Sequence, residues 1–149
     1  MARHPRWVRK FLSEPDLDDI VHAIRRAEAE TSAEVRVHLA RRCPGDALAS
    51  AIQVFDRLGM HRTAERNGVL IYVAMGDRKL ALVGDQGIHS RVGDVYWQRL
   101  VGDVLRHFRE EHHRDGFVHA IGELGALLSR HFPRRPSDEN ELSDRVSVE

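Results

Sequence analysis

The sequence is poor in cysteine and in long apolar runs, and each shortage excludes a class of protein. Its single cysteine, Cys43, cannot form an internal disulfide, which excludes a small secreted scaffold held by disulfide bridges and favours a reducing compartment. No apolar stretch approaches the ~20 residues that a membrane-spanning helix requires. We therefore expect a soluble protein without a transmembrane segment.

The sequence also lacks a net charge, because 23 lysine and arginine residues balance 23 aspartate and glutamate residues. Proteins that bind nucleic acids usually carry a basic face, since the neutralisation of phosphates provides much of their affinity. The even balance therefore argues against a nucleic-acid partner. The length of 149 residues fits one domain, which can bury a core without the help of disulfides.

Residues 1–12 are a local exception to this balance and form a basic and aromatic N-terminal arm. The arm mixes cationic and apolar side chains, namely Arg3, His4, Arg6, Arg9 and Lys10 with Trp7, Val8, Phe11 and Leu12. Such a segment could contact a membrane surface or an acidic partner, or it could pack its aromatic rings against the domain. Polar residues 13–16 interrupt the apolar ones too early for a secretory signal.

Hydrophobic periodicity predicts two helices and a strand in the first half of the chain. A helix should begin at Ser13, its N-terminal cap, and repeat apolar residues at helical spacing. Residues 34–39 alternate polar and apolar side chains, as a half-buried strand does. Asp46 should cap a second helix that ends at Gly59.

A hairpin is predicted next. Residues 69–75 form a continuous apolar run, typical of a central strand covered on both faces. Residues 79–84 follow after a short turn, and so short a connection requires antiparallel pairing. In the glycine-flanked loop predicted at residues 85–89, we expect Gly84 and Gly87 to permit positive φ angles.

Two further helices complete the predicted order. A long helix should begin near Asp94, and Asp115 with Gly116 should separate it from a last helix that prolines end. This order predicts an α/β fold, a three-layer α/β/α sandwich around a mixed sheet with a central β-hairpin. We divide the chain into the arm, a domain at residues 13–132, and a disordered acidic tail at residues 133–149.

Five different short motifs follow one another along this domain. They are Ser32-Ala33-Glu34-Val35, Phe55 with Leu58-Gly59, Asn67-Gly68-Val69-Leu70, Asp77-Arg78-Lys79 and Gly84-Asp85-Gln86-Gly87-Ile88. In this ordered series the sequence resembles the TPM-domain family, over roughly residues 17–132. That family has thylakoid-lumen and photosystem II repair members, besides many bacterial proteins.

The resemblance implies an α/β/α sandwich, in agreement with the periodicity. It implies more than one function, because some members are assigned acid phosphatase activity, some bind calcium or another divalent ion, and others serve as assembly or repair factors. The family's usual secretory signal and following membrane span are missing here, so we expect a soluble, cytoplasmic bacterial member.

The resemblance also places a candidate site in the loops of the hairpin, at Arg66, Asn67, Gly68, Arg78, Asp85, Gly87 and His89. Arg66 stands where the family commonly has an acidic residue, and His89 where it commonly has a glutamate. Calcium requires about six to eight oxygen ligands, so both departures argue against a calcium site. If a divalent metal binds, Asp85 and His89 are its candidate ligands, and the imidazole favours a transition ion. No other cofactor is expected.

Other polar residues have two interpretations each. Arg62, Arg66, Arg78 and Arg91 could bind an anion if their loops converge. His107 and Glu111, four residues apart, could share a metal, although a solvated helix end is the interpretation we prefer. His38 lies on the polar side of the first strand and could be catalytic, although we expect instead that a helix covers it partly.

The sequence contains no complete catalytic set, since neither a Cys-x5-Arg loop nor a Gly-x-Ser-x-Gly elbow occurs. We therefore favour a non-catalytic accessory or regulatory domain that acts through contacts with an unknown protein, with the arm and the tail as contact segments. The alternative is a divalent-metal-dependent acid phosphatase that uses the Arg66-Asn67 loop, Asp85 and His89, with Arg78 nearby. The oligomeric state stays open.

Overall fold

The computed structural model describes residues 4–134 and 146–149 of the chain. The helices are α1 (Arg6–Arg9), α2 (Glu14–Glu28), α3 (Ala47–Arg57), α4 (Gln86–Val92), α5 (Asp94–Arg109) and α6 (His113–His131). The strands are β1 (Glu34–Ala40), β2 (Gly68–Ala74), β3 (Lys79–Gly84) and β4 (Ser147–Val148), and a 3-10 turn covers Met60–Arg62. None of the described helices combines the length and the apolar character needed to cross a membrane.

The four strands form one mixed sheet in the order β3-β2-β1-β4. β1 runs parallel to β2, with Glu34 opposite Gly68. β2 and β3 pair antiparallel, as the short connection predicted. The start of β2 and the end of β3 therefore lie at one end of the sheet. The hairpin turn at residues 75–78 lies at the other end, beside the carboxyl end of β1.

Polar caps begin the first two predicted helices. Ser13 Oγ accepts a hydrogen bond from Asp16 N at 3.1 Å, and the Asp16 carboxylate accepts one from Ser13 N at 3.0 Å. Asp46 Oδ2 accepts from Ala49 N at 3.0 Å at the start of α3. Caps of this kind each contribute about 1 kcal/mol to stability. After α3 the chain turns at Gly59, whose φ is 70°.

Helices cover both faces of the sheet, which confirms the three-layer α/β/α sandwich. One face packs against α2, α5 and α6 in the larger core. The other packs against α3 in a smaller core, where Phe55 and Ala51 join Leu70 and Tyr72 of β2. Every residue of β2 is buried. This is the burial that its continuous apolar run predicted.

The N-terminal arm belongs to the fold from residue 4 onward. Val8 and Leu12 are fully buried in the larger core, and Trp7 and Phe11 pack against it. Burial of a side chain of this size stabilises a fold by about 1.5–3 kcal/mol. We predicted that the arm either contacts a partner or packs against the domain, and its apolar residues pack against the domain. Its described arginines and lysine stay exposed, and Arg3 lies outside the described residues.

The last described residues form β4, which pairs in parallel with His38 and Leu39 near the carboxyl end of β1. Backbone hydrogen bonds at Glu149 extend this pairing by one residue. The prediction of a disordered tail over residues 133–149 is therefore wrong for residues 146–149, while residues 135–145 lie outside the described part. A strand of two residues is too short to produce a periodic signal in the sequence.

Two helix boundaries also differ from the prediction. The loop predicted at residues 85–89 is largely the start of α4, which Asp85 caps. The break between α5 and α6 falls at residues 110–112, before the predicted Asp115 and Gly116. Gly116 lies inside α6, where an added Cβ would come within 2.8 Å of Phe108 Cε1. This glycine permits close packing of two helices and does not end either of them.

Candidate functional site

The candidate site lies at the end of the sheet where β2 begins and β3 ends. The backbone N–H of Asp85 donates to the Gly68 carbonyl at 2.9 Å, which holds the two strand ends together. Arg66 and Asn67 directly precede β2, and Gly87 lies in the first turn of α4. The fold therefore brings together five of the seven residues that the resemblance placed in the site.

Asp85 and Arg66 form a two-point ion pair at the centre of this site. Arg66 Nε donates to Asp85 Oδ2 at 2.9 Å, and Nη2 donates to Oδ1 at 3.1 Å. The Asp85 side chain is only 3% exposed, whereas that of Arg66 is 41% exposed. The parallel hydrogen bonds of a guanidinium to a carboxylate are among the stronger polar contacts in proteins. They compensate for the burial of the Asp85 charge.

His61 extends this pair into a network with Asp56. Its Nδ1 lies 3.2 Å from Asp85 Oδ2 and 2.9 Å from Arg66 Nη2, while Nε2 lies 2.6 Å from Asp56 Oδ1. Each ring nitrogen of His61 therefore lies within hydrogen-bonding distance of a carboxylate oxygen. The sequence-based site included neither His61 nor Asp56. The one sequence signal was the polar character of the segment that follows Gly59.

The Asp85 carboxylate stays ionised well into the acid range. Burial acts to raise its pKa, but hydrogen bonds from Arg66, from the Gln86 N–H and from His61 together outweigh burial and lower it. The Gln86 N–H lies 2.7 Å from Oδ1, where the carboxylate caps α4. Asp85 thus accepts hydrogen bonds from several donors of its own chain.

Gly87 and Gly68 are required by close packing of the backbone. An added Cβ on Gly87 would lie 2.6 Å from the Arg66 carbonyl oxygen and closer still to that of Glu65. The same atom on Gly68 would lie 2.9 Å from the Met60 carbonyl oxygen. The prediction of positive φ angles at Gly84 and Gly87 is wrong, since the glycines with positive φ among the described residues are Gly59 and Gly93.

Asn67 is buried behind the ion pair and holds the loop before β2. Its backbone N–H donates to Thr63 Oγ1 at 3.0 Å, and its Nδ2 donates to Ser32 Oγ at 3.4 Å. Its Oδ1 is buried and has no hydrogen-bond partner within the described part of the chain. Ser32 in turn donates to Glu65 at 2.7 Å. Asn67 therefore links the start of β2 to the start of β1.

Arg78 and the His89 side chain lie apart from this cluster. Arg78 occupies the hairpin turn at the opposite end of β3. The six residues of this strand place it roughly 20 Å from the cluster, at the rise of an extended strand. Its Nη2 lies 3.9 Å from Glu111 Oε1. The His89 ring is exposed and has its ionic contact with Asp94, 3.6 Å from Nε2 to Oδ1. The pairing of Asp85 with His89 as metal ligands therefore stays a prediction.

The arrangement does not fit a divalent ion at Asp85. Both carboxylate oxygens already accept hydrogen bonds from Arg66, whose positive charge occupies the position that a cation would need. Among residues 4–134 and 146–149, no group of three or more His, Cys, Asp or Glu side chains is placed to hold a metal ion. Asp85 therefore has no open oxygen to offer a divalent ion while Arg66 remains in place.

The remaining candidates serve local structure. Arg91 donates to the His131 carbonyl at 2.8 Å, so the four arginines do not converge on one anion site. His107 Nδ1 lies 2.8 Å from the Asp103 carbonyl oxygen, and its ring stacks on His119. Glu111 instead contacts Arg78 and His113. These contacts agree with the solvated helix end that we preferred for His107 and Glu111.

Comparison with known proteins agrees with this fold. The chain is 37% identical to the BA42 protein of the psychrophilic bacterium Bizionia argentinensis, whose NMR structure it matches with a TM-score of 0.86 over 93% of this chain and 96% of that one. It also shares its fold with an N-terminal domain of the cg2496 protein of Corynebacterium glutamicum, at 15% identity and a TM-score of 0.63, with 86% of each chain covered.

A third solved structure, an N-terminal domain from P. gingivalis, matches with 17% identity and a TM-score of 0.68, over 84% of this chain and 82% of that one. No curated protein matches the sequence. The model of the TPM-domain family matches residues 8–127, which is most of the chain and includes the whole candidate site. The chain therefore belongs to the TPM-domain family.

Proposed function

We propose that this TPM domain is a non-catalytic accessory or regulatory domain that acts through contacts with another protein. The observation that carries the proposal is the closure of Asp85 by Arg66 and His61. Asp85 is the buried carboxylate of the candidate site, and the chain itself uses its hydrogen-bonding capacity. The ion pair caps α4 and joins β2 to β3, which is a structural role.

A phosphatase would have to open this network before it could act. Phosphoryl transfer to water needs a nucleophile or a metal-activated water, together with cations that bind the phosphate oxygens. Arg66 donates Nε and Nη2 to Asp85, so the same two-point contact with a phosphate would require Arg66 to leave Asp85 and would leave a buried carboxylate without its guanidinium partner. A buried carboxylate that loses its partner destabilises a fold, although solvent at the exposed Arg66 reduces this cost. The network therefore favours the non-catalytic alternative.

Two further observations support the proposal. The described charged side chains of the arm remain exposed, although its apolar side chains are part of the core. They are therefore available to a partner without local unfolding. We also propose that the protein is located in the cytoplasm. The buried free thiol of Cys43 is in keeping with that reducing compartment.

Phosphate release from p-nitrophenyl phosphate, at acid and neutral pH, tests the catalytic alternative. The protein is assayed with magnesium, manganese, calcium and zinc ions in turn, beside Asp85→Asn and the matched control Asp18→Asn on the exposed side of α2. We expect no release above the buffer for any of the three proteins. Saturable release that Asp85→Asn abolishes and Asp18→Asn retains would overturn the proposal.

Protein contact needs a test of its own. The tagged full chain is used to capture partners, and each captured protein is then purified and titrated against the chain by calorimetry. The proposal expects at least one partner that forms a binary complex with a defined stoichiometry. If none of the captured proteins binds the isolated chain, the domain does not act through stable protein contacts.

A further inference from the structure

A basic groove lies at the end of the sheet opposite to the candidate site. It is a cleft of about 660 Å³ between α1 and the loops that follow β1 and β2. Its cationic side chains are Lys10, Arg41, Arg42 and Arg78, and Glu111 is the single acidic residue among those that line it. The crevice outside the carboxyl ends of parallel strands is the usual ligand position in open α/β sheets.

The chain as a whole has a net charge of zero, so the positive charge of the groove is a local concentration. Arg42 is compensated by Asp77, with Nη1 and Oδ1 3.0 Å apart. Lys10 and Arg41, by contrast, form no ion pair within the described part of the chain. The groove therefore presents positive charge that an acidic ligand would neutralise.

An apolar pocket of about 280 Å³ adjoins the groove and shares Phe11, Met75, Arg78 and His113 with it. Val73, Met75, Leu105 and Phe108 form its walls, and Arg109 stands among its lining residues as a further cation. Sites for drug-sized molecules measure roughly 300–1,000 Å³, so this pocket lies just below that range and has room for an apolar side chain.

Aromatic contacts give the pocket a rigid wall. The His113 ring lies 5.5 Å from the Phe11 ring in an edge-on contact and 5.4 Å from the Phe108 ring. Phe108 packs in turn against the buried Phe117, 5.3 Å away. Aromatic pairs at these distances stabilise one another beyond their burial. The wall is therefore anchored in the core, and the pocket exists before any ligand binds.

We propose that the basic groove binds an acidic peptide segment of a protein partner, with one apolar side chain of the segment in the pocket. The carboxylates of the segment then lie on Lys10, Arg41 and Arg109. The inference rests on the proposed function, because it names the chemistry of the partner and the surface that meets it. An apolar anchor in a pocket with charges at the rim is the common arrangement of binding hot spots.

The pocket decides between a peptide and other polyanions. Nucleic acids and anionic membranes would use the positive charge, but neither requires an apolar pocket beside it. A polyanion would also meet the exposed Arg6, Arg9, Lys10 and Arg41, which line one basic patch, so the pocket and not the charge distinguishes the peptide.

An NMR titration of the full-length, ¹⁵N-labelled protein tests the proposal. The probe is a short glutamate-rich peptide with one central leucine, and the matched probe carries serine in place of the leucine. We expect saturable shifts at residues of the groove and pocket, and at least about tenfold weaker binding of the serine peptide, because burial of a leucine supplies that much affinity.

Charge reversal then locates the contact. Lys10→Glu, Arg41→Glu and Arg109→Glu change exposed side chains, so the fold is retained, which thermal melting verifies. Each should weaken binding of the leucine peptide about fivefold, an effect that diminishes as salt screens the charges. Arg130→Glu is the matched control, since it lies at the far end of α6 from His113, and its affinity should equal that of the wild type.

Four outcomes would overturn the proposal. They are no saturable binding of the leucine peptide, equal affinity for the leucine and serine peptides, equal loss with Arg130→Glu, and tighter binding of an oligonucleotide or of phosphatidylserine vesicles than of the leucine peptide. A purified partner that binds the three variants as tightly as the wild type would refute this surface and leave the proposed function intact. Metal-dependent phosphate release would refute the proposed function instead.

Discussion

His38 in β1 is hydrogen-bonded to the carboxylate of Glu149, with 3.0 Å between Nε2 and Oε1. Its Nδ1 lies 2.7 Å from Ser147 Oγ, and the Glu149 carboxylate also accepts from Arg57 Nη2 at 2.7 Å. The ring is buried and stacks on Tyr72. Its hydrogen-bond partners thus come from the segment of β4, and the expectation that a helix partly covers His38 stays a prediction. These contacts attach β4 to the sheet.

Removal of the Glu149 carboxylate should weaken this attachment. We expect Glu149→Ala to lower the free energy of unfolding by about 1 kcal/mol, mostly through loss of the hydrogen bond to the buried imidazole. The ion pair with Arg57 is exposed and adds little. Urea denaturation measures the change. Glu110→Ala removes an exposed glutamate elsewhere and is the control; equal losses in both variants would contradict the role of Glu149.

The stability of the protein should fall as the pH drops below 6.5. Burial lowers the pKa of His38 from its usual 6.5, although Glu149 acts in the opposite direction. The unfolded chain therefore takes up this proton more readily than the folded chain. The stabilisation is complete above pH 6.5 and is lost as the pH falls towards the folded pKa.

Comparison with His38→Gln isolates this residue from the other histidines. We expect the stability difference between wild type and variant to shrink steadily from neutral pH into the acid range, because the variant has no proton to gain at this position. Urea midpoints at a series of pH values measure the difference. A difference that does not change with pH would show that His38 keeps its usual pKa in the fold.

Substitution of Gly87 should be costly, because the backbone of the preceding loop lies against it. We expect Gly87→Ala to destabilise the fold by at least about 2 kcal/mol, since the added methyl group meets the carbonyl oxygens of Glu65 and Arg66 and these cannot move without disturbing the ion pair. Gly102→Ala is the matched control in the exposed middle of α5. With no atom within 4 Å of the added Cβ, it should stabilise by about 0.5–1 kcal/mol.

A carboxylate in place of Arg66 should introduce sensitivity to divalent ions. The residue has a φ of 52°, a conformation in which aspartate is well tolerated, so Arg66→Asp keeps the backbone. Without metal the variant should be less stable than the wild type, because it removes the guanidinium partner of the buried Asp85 carboxylate and adds a like charge beside it. Calcium or manganese should raise its melting temperature.

The wild type and Arg62→Asp, which changes a neighbouring exposed arginine, are the controls for this experiment. Neither should show a metal-dependent rise in melting temperature, because Arg66 still holds Asp85 in both. A rise in the wild type as large as that in Arg66→Asp would mean that Arg66 does not exclude a cation from the site.

The elements that sequence reasoning identified correctly share one property, a long and regular pattern. The apolar run of β2 and its short connection to β3 predicted both the burial and the antiparallel pairing. The caps at Ser13 and Asp46 marked two helix starts, since a cap is a contact between residues close in sequence. The ordered motifs then identified the family.

The elements that it missed depend on contacts between distant residues. β4 has two residues, and it is a strand only because β1 offers an unpaired edge. Gly116 is an example, because glycine in a sequence usually indicates a helix break. Here its small size is required by the Phe108 ring on another helix, which no local pattern reveals. His61 and Asp56 join the site through a turn whose path no local pattern specifies.

The sequence by itself determined the layers of this protein, its central hairpin and its family, because hydrophobic periodicity and capping are local properties of a chain. Only the tertiary structure decided how the charges are used. It directed Arg66 onto Asp85, separated Arg78 from that pair by the length of a strand, and gathered Lys10 and Arg41 beside Arg78 in one groove. The physical reason is that the energy of a charge depends on its distance from other charges and on its burial, and both are set by the fold.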